Sequence, residues 1–142
     1  VPTSSVLKLG TNTDKNQSTI TYIAYCFHSV DGYSKVGTYE GNGDADGTFV
    51  YTGFRPAWVM YKRTDVANDW HIKDSERASY NGMDIFLQAN SAGAEQDSDA
   101  HQADFLSNGF KARNPYAEGN ADGGTYIYLA FAETPFKYSN AR

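Results

Sequence analysis

A single cysteine, Cys26, stands in the whole chain, so no internal disulfide can staple it. That excludes the small disulfide-built secreted frameworks and leaves a fold held by its core. Methionine and leucine are scarce, which weakens the case for helix. Cations are outnumbered, with 12 Lys and Arg against 17 Asp and Glu, and the longest basic run is Lys62-Arg63. A net charge of −5 and a pI near 5.0 do not describe a nucleic-acid binder, because phosphate recognition needs clustered Lys and Arg. No apolar run approaches the roughly 18 residues of a membrane-spanning helix. No charged n-region followed by an apolar stretch marks a signal peptide. Nucleic acid and membrane are therefore not expected among the partners. A Gly-x-Ser-x-Gly elbow, an HExxH pair and paired-cysteine spacing are missing too, which removes the commonest nucleophile and zinc signatures.

What is present points to β structure. The chain has 142 residues, the size of one ordinary domain, with 11 Tyr, 8 Phe and 13 Gly. Aromatic residues fit pleated, half-buried surfaces, and glycine fits tight turns. Residues 1–18 are polar, with only Val6, Leu7 and Leu9 able to anchor them, and read as an arm or linker. From residue 19 the pattern alternates with period two. Ile23, Tyr25 and Phe27 interleave with Tyr22, Ala24 and Cys26, which predicts a strand over 19–28. Further strands are predicted over 33–39, 48–52, 57–62, 70–73, 84–88 and 125–133. Residues 104–113 form a hairpin, because Asn108-Gly109 is the pair a type I′ turn prefers. Residues 91–102 are a polar, acidic loop or one helical turn. About eight short strands between turn signals, with no helical period, give an all-β sandwich or jelly roll over residues 19–142. The runs 22–27 and 126–131 echo one another, as two strands side by side under one covering layer would.

Candidate chemistry has a bland reading beside each sharp one. Cys26 and His28 project from one strand face, as a nucleophile and base would, but a small core cysteine shows the same pattern. Asn42, Asp44, Asp46 and Gly47 match the opening of a calcium loop. Position twelve is Gly53, where a bidentate Glu is required, so a Gly/Asp turn is the alternative and no cofactor is expected. Ca²⁺ is the one ion the pattern raises. Glu95, Asp97, Asp99 and Asp104 fall in one acidic stretch that reads as solvated rather than as a carboxylate pair across a cleft. Trp58 lies in a run apolar on both faces and reads as buried. Trp70 and His71, beside polar Asn68 and Asp69, are the candidates for stacking on a glycan ring.

Several segments form a recognisable set: Tyr22-Ile23-Ala24-Tyr25-Cys26-Phe27, Gly32-Tyr33-Ser34-Lys35, Gly41-Asn42-Gly43, and the run from Gly47 to Pro56. Lys62-Arg63-Thr64, the run from Asp104 to Lys111, the run from Gly124 to Glu133, and Pro135-Phe136-Lys137-Tyr138 complete it. Together they resemble an uncharacterised β domain near the C-terminus of bacteriophage tail-fibre and other virion surface proteins, often beside concanavalin-like lectin or SPRY-type modules. The resemblance implies a virion exterior and brings no catalytic motif. A non-enzymatic structural or adhesive module of a tail fibre or capsid surface is the resulting expectation. Its partners would be sister subunits, other virion proteins and a host-surface glycan. A carbohydrate-binding, lectin-like domain is the alternative. Within strand 125–133, Ile127, Leu129 and Phe131 are expected to face the core. The flatter face, with Tyr22, Tyr126 and Tyr128, is then expected to meet a neighbouring subunit, because Tyr offers apolar area and a hydroxyl that tolerates water; a covering loop of the same chain, such as the arm 1–18, is the alternative. A homotrimer is the expected assembly.

Overall fold

The computed structural model describes residue 3 and residues 5–135. The closing Phe136-Lys137-Tyr138 of the resemblance lies outside the described residues. Among them are nine strands and one turn of α-helix. The strands are β1 (Ser34–Glu40), β2 (Phe49–Tyr51), β3 (Pro56–Arg63), β4 (His71–Asp74), β5 (Ile85–Gln88), β6 (Gln96–Asp97), β7 (Ala103–Leu106), β8 (Gly109–Ala112) and β9 (Thr125–Ala132). The helix, α1 (Thr13–Asn16), is capped by the Asn12 side chain accepting from the Asp14 N–H at 2.7 Å. The strands make two antiparallel sheets, one ordered β1-β9-β3-β4-β5-β6 and the other β2-β8-β7. The fold is thus an all-β sandwich. The acidic stretch 91–102 supplies the short β6 and a single 3₁₀ turn, Asp99–His101.

The core lies between the sheets. Val50, Phe105 and Phe110 of the small sheet meet Val59, Tyr61, Tyr126, Tyr128 and Ala130 of the large one. Tyr39 and Tyr126 stack with ring centroids 4.7 Å apart, and Phe110 meets Tyr128 edge-on at 5.4 Å. Tyr126 is fully buried and Tyr128 is 5% exposed. This reverses the expected faces of β9. The tyrosines point inward, and Ile127, Leu129 and Phe131 point outward. The reason is polar satisfaction. The Tyr126 hydroxyl donates to the Ala117 carbonyl at 2.8 Å and accepts from the Ala121 N–H at 2.8 Å, and the Tyr39 hydroxyl donates to the Gly119 carbonyl at 2.9 Å. The loop before β9 supplies what water would otherwise provide.

Two local expectations also change. The β7–β8 hairpin turns on Ser107 and Asn108, with Leu106 paired to Gly109. Neither turn residue has a positive φ, so this is not a type I′ turn. Gly109 serves a different need: a Cβ there would sit 2.2 Å from the Val50 carbonyl oxygen of the neighbouring strand. The predicted strand 19–28 belongs to no sheet, and the arm runs on to Ser29. Nor do runs 22–27 and 126–131 lie side by side, because β9 is flanked by β1 and β3.

Candidate interaction surface

The register of the large sheet builds its outer face row by row. Val36 pairs with Leu129, Leu129 with Met60, Met60 with Ile72, and Ile72 with Leu87. Directly opposed residues of antiparallel strands share a face. One apolar row therefore crosses β1, β9, β3, β4 and β5. Phe131 and Trp58 stand opposite one another on one side of it, and Ile127 and Lys62 on the other. Leu129, in the middle, is 7% exposed, whereas Val36, on the edge strand, is 42% exposed.

Tyr25 and Phe27 of the arm lie beside this face, though the arm joins no sheet. The chain starts a hairpin with β1: Val30 and Ser34 exchange both backbone bonds at 2.9 Å, around the turn containing Gly32 at φ 67°. Two residues along, the Ser29 side chain replaces the backbone. Its Oγ accepts from the Val36 N–H at 3.1 Å and donates to the Val36 carbonyl at 3.4 Å. The ladder stops there and the arm departs from the sheet edge. Phe27 reaches Phe131 edge-on, with centroids 6.0 Å apart. A groove of about 730 Å³ remains, with Tyr25 and Phe27 on one wall and Val36, Met60, Ile127 and Leu129 on the other. Its volume is in the range of ligand pockets.

Trp70 also lines the groove. The Lys62 ammonium lies 5.6 Å from the centre of its ring. Polar side chains crowd beside it. The Asp69 carboxylate accepts from Gln88 at 2.9 Å and from Asn90 at 2.7 Å, and the Asn90 side-chain oxygen accepts from the Trp70 N–H at 2.9 Å. Trp70 is thus half-buried, with one side reaching the groove. Its expected companion does not reach it: His71 is 1% exposed, because the next residue along a strand points to the opposite face.

His71 instead joins a buried group that sequence reasoning missed. Its ring stacks on Tyr61 at 5.4 Å and lies 4.7 Å from His101, whose ring is 4.1 Å from Phe86. Both His71 nitrogens and His101 Nδ1 have no hydrogen-bond partner. Burial, with His101 and Lys73 nearby, pushes the His71 pKa down to about 4 and so keeps the ring neutral. Burial likewise lowers Lys73 to about 8, while its ammonium donates to the Met83 carbonyl at 2.8 Å. The five residues come from β3, β4, β5 and the 3₁₀ turn, and nothing in the local sequence announces the group.

The remaining candidates are dispersed. Tyr126 and Tyr128 are core residues, so neither can meet a neighbouring subunit. Tyr22 is exposed but closes a turn of the arm, donating to the Thr13 carbonyl at 3.0 Å and accepting from the Gln17 N–H at 3.2 Å. Cys26 is exposed rather than a core residue. It borders an open cleft with His28, and no hydrogen bond joins the two. In the loop before β2, Asn42 accepts from the Asp44 N–H at 3.0 Å and Asp44 from the Asp46 N–H at 2.8 Å. Asp46 pairs with Lys111 at 2.6 Å and Arg113 at 2.9 Å, and the Lys111 hydrogen bond holds its carboxyl below the usual range. The partners of these oxygens are the loop's own N–H groups and the Lys111 and Arg113 side chains. Among the described residues no three His, Cys, Asp or Glu converge as a metal site. The buried Asn120 fastens this loop, donating to Asn42 Oδ1 at 2.8 Å and to the Asn114 carbonyl at 2.9 Å. Of the acidic residues, Glu95 pairs with Arg77, and Asp104 pairs with Arg113 at 3.1 Å.

Comparison with known proteins gives a family. The family described as Domain of unknown function (DUF7483) matches residues 1–135. No match was found among curated proteins or among solved structures.

Proposed function

The chain belongs to the DUF7483 family. We propose that it is a non-catalytic assembly and adhesion module of a bacteriophage particle surface, in a tail fibre or capsid decoration. One observation carries the assembly half. An apolar row crosses the outer face of the large sheet, and beside it the arm exposes Ile23, Tyr25 and Phe27. A surface of this kind is uncommon on a protein that stays alone in water. The virion location is supported by the resemblance of the segments from Tyr22 to Glu133 to phage surface domains. An antibody against the domain should label the outside of intact particles of a phage that encodes it. Labelling only after disruption of the particle would overturn the location. Light scattering of the pure chain should report an oligomer; a monomer at high concentration would overturn the assembly half.

A second reading, carbohydrate binding, is favoured by Trp70 alone. An aromatic ring beside a carboxylate and amides is the chemistry that recognises a pyranose, with stacking on the ring and hydrogen bonds to its hydroxyls. Host glycans titrated into the full chain should change Trp fluorescence, and Trp70→Ala should abolish the change. No response across a panel of host surface polysaccharides would remove this reading.

A further inference from the structure

The arm gathers many of the exposed apolar side chains among the described residues. Ile23 is 78% and Tyr25 80% exposed, and Ile20, Tyr22 and Phe27 are exposed as well. These residues alternate as a strand does, yet they have no ladder, because Ser29 ends the hairpin with β1 after one bridge. The arm and the outer face are therefore two apolar surfaces with a groove left between them.

We propose that this groove is filled by the arm of a second copy of the chain, whose Ile23, Tyr25 and Phe27 pack against the first copy's Val36, Met60 and Leu129. The inference rests on the assembly reading above and names its contact. Charge selects the arm as the element to be exchanged. Residues 1–33 hold Lys8, Lys15, Asp14 and Asp31, which cancel, so the net charge of −5 resides in residues 34–142. Two acidic bodies repel one another, while a neutral arm approaches either without that cost. The contact is arm to groove, hence head to tail, and it closes either as a reciprocal pair or as a ring such as a trimer.

Two variants of the full chain test this. The arm variant carries Ile23→Asp, a position outside the groove's own lining; the face variant carries Val36→Asp and Thr38→Asp. All three positions are exposed, so both chains should fold, which circular dichroism and melting will verify. Each variant alone should fall from the oligomer to the 15.7 kDa mass of one chain. Mixed in equal amounts, they should recover an open dimer, because the face variant keeps a good arm and the arm variant keeps a good groove. An arm variant that retains the parent's oligomeric mass, or a mixture that stays monomeric, overturns arm exchange and leaves the assembly reading intact. A parent chain that is monomeric at high concentration overturns both.

Discussion

The two faces of the large sheet are both apolar, but they are built from different side chains. Inward stand Tyr39, Tyr61, Tyr126 and Tyr128, under the small sheet. Outward stand Val36, Met60, Ile72, Leu87, Ile127, Leu129 and Phe131, with the arm alongside. The difference shows that hydroxyl groups do not mark the wet side here. A tyrosine ring can lie in the core when a loop meets its hydroxyl, as 117–121 does for Tyr39 and Tyr126. The outer face has no such polar demand. It can be covered by any apolar surface, including one from another chain.

If the inner face carries the stability, its residues should be costly to remove. Tyr126→Ala deletes a fully buried ring, a stacking partner and two hydrogen bonds. We expect a loss of about 3–5 kcal/mol in denaturant unfolding, enough to threaten folding altogether. A loss below about 1 kcal/mol would mean that the inner face is not the main core.

The next effect depends on pH. His71 is neutral in the fold, with its pKa lowered from 6.5 to about 4. The unfolded chain takes up this proton first as the pH falls. Stability is therefore complete above pH 6.5, declines between 6.5 and about 4, and levels off below. The contribution is about 3 kcal/mol at most. His101 is shifted in the same direction, mainly by burial, and adds to the slope. Denaturant melts at pH 7.5 and 4.5 should show that His71→Leu loses less on acidification than the parent. An equal loss in both would show that the carboxylates alone set the acid limb.

Much of this was legible beforehand, and the failures have physical causes. Seven predicted segments outside the arm became strands, because alternation and turn residues are local signals. The face assignment of β9 failed because the carbonyl partners of Tyr126 and Tyr39 lie in a loop that alternation does not describe. The strand at 19–28 failed because a single side chain, Ser29, occupies the groups of Val36 that a ladder would use. Trp70 was legible as a residue reaching the outer face. His71 was not, although its burial follows from parity: once Trp70 faces outward, its neighbour must face inward. The groove was invisible, since it depends on the register of five strands and on where the arm leaves the sheet.

Two neighbours on β1 bring the comparison down to adjacent residues. Gly37 faces inward, opposite Tyr128, and a Cβ placed there would lie 2.9 Å from the Tyr128 ring. The ring is held by Phe110 and Tyr39, so Gly37→Ala should cost about 1–3 kcal/mol through overpacking.

Val36 faces outward, one residue away, and is 42% exposed. Val36→Thr keeps the β-branched shape and strand preference while replacing a methyl by a hydroxyl. In a single subunit that hydroxyl meets solvent, so the substitution should change stability by no more than about 0.5 kcal/mol. The measurement is denaturant unfolding at protein concentrations low enough that subunits are separate. A cost above about 1 kcal/mol under those conditions would mean that Val36 is already desolvated within its own chain, with the arm closed down on the row. The distinction between a covered and an open face would then fail, and the groove would not be there for another chain to fill. A negligible cost in dilute solution, growing as concentration is raised, would show the opposite: the outer face loses its water only when a second copy arrives.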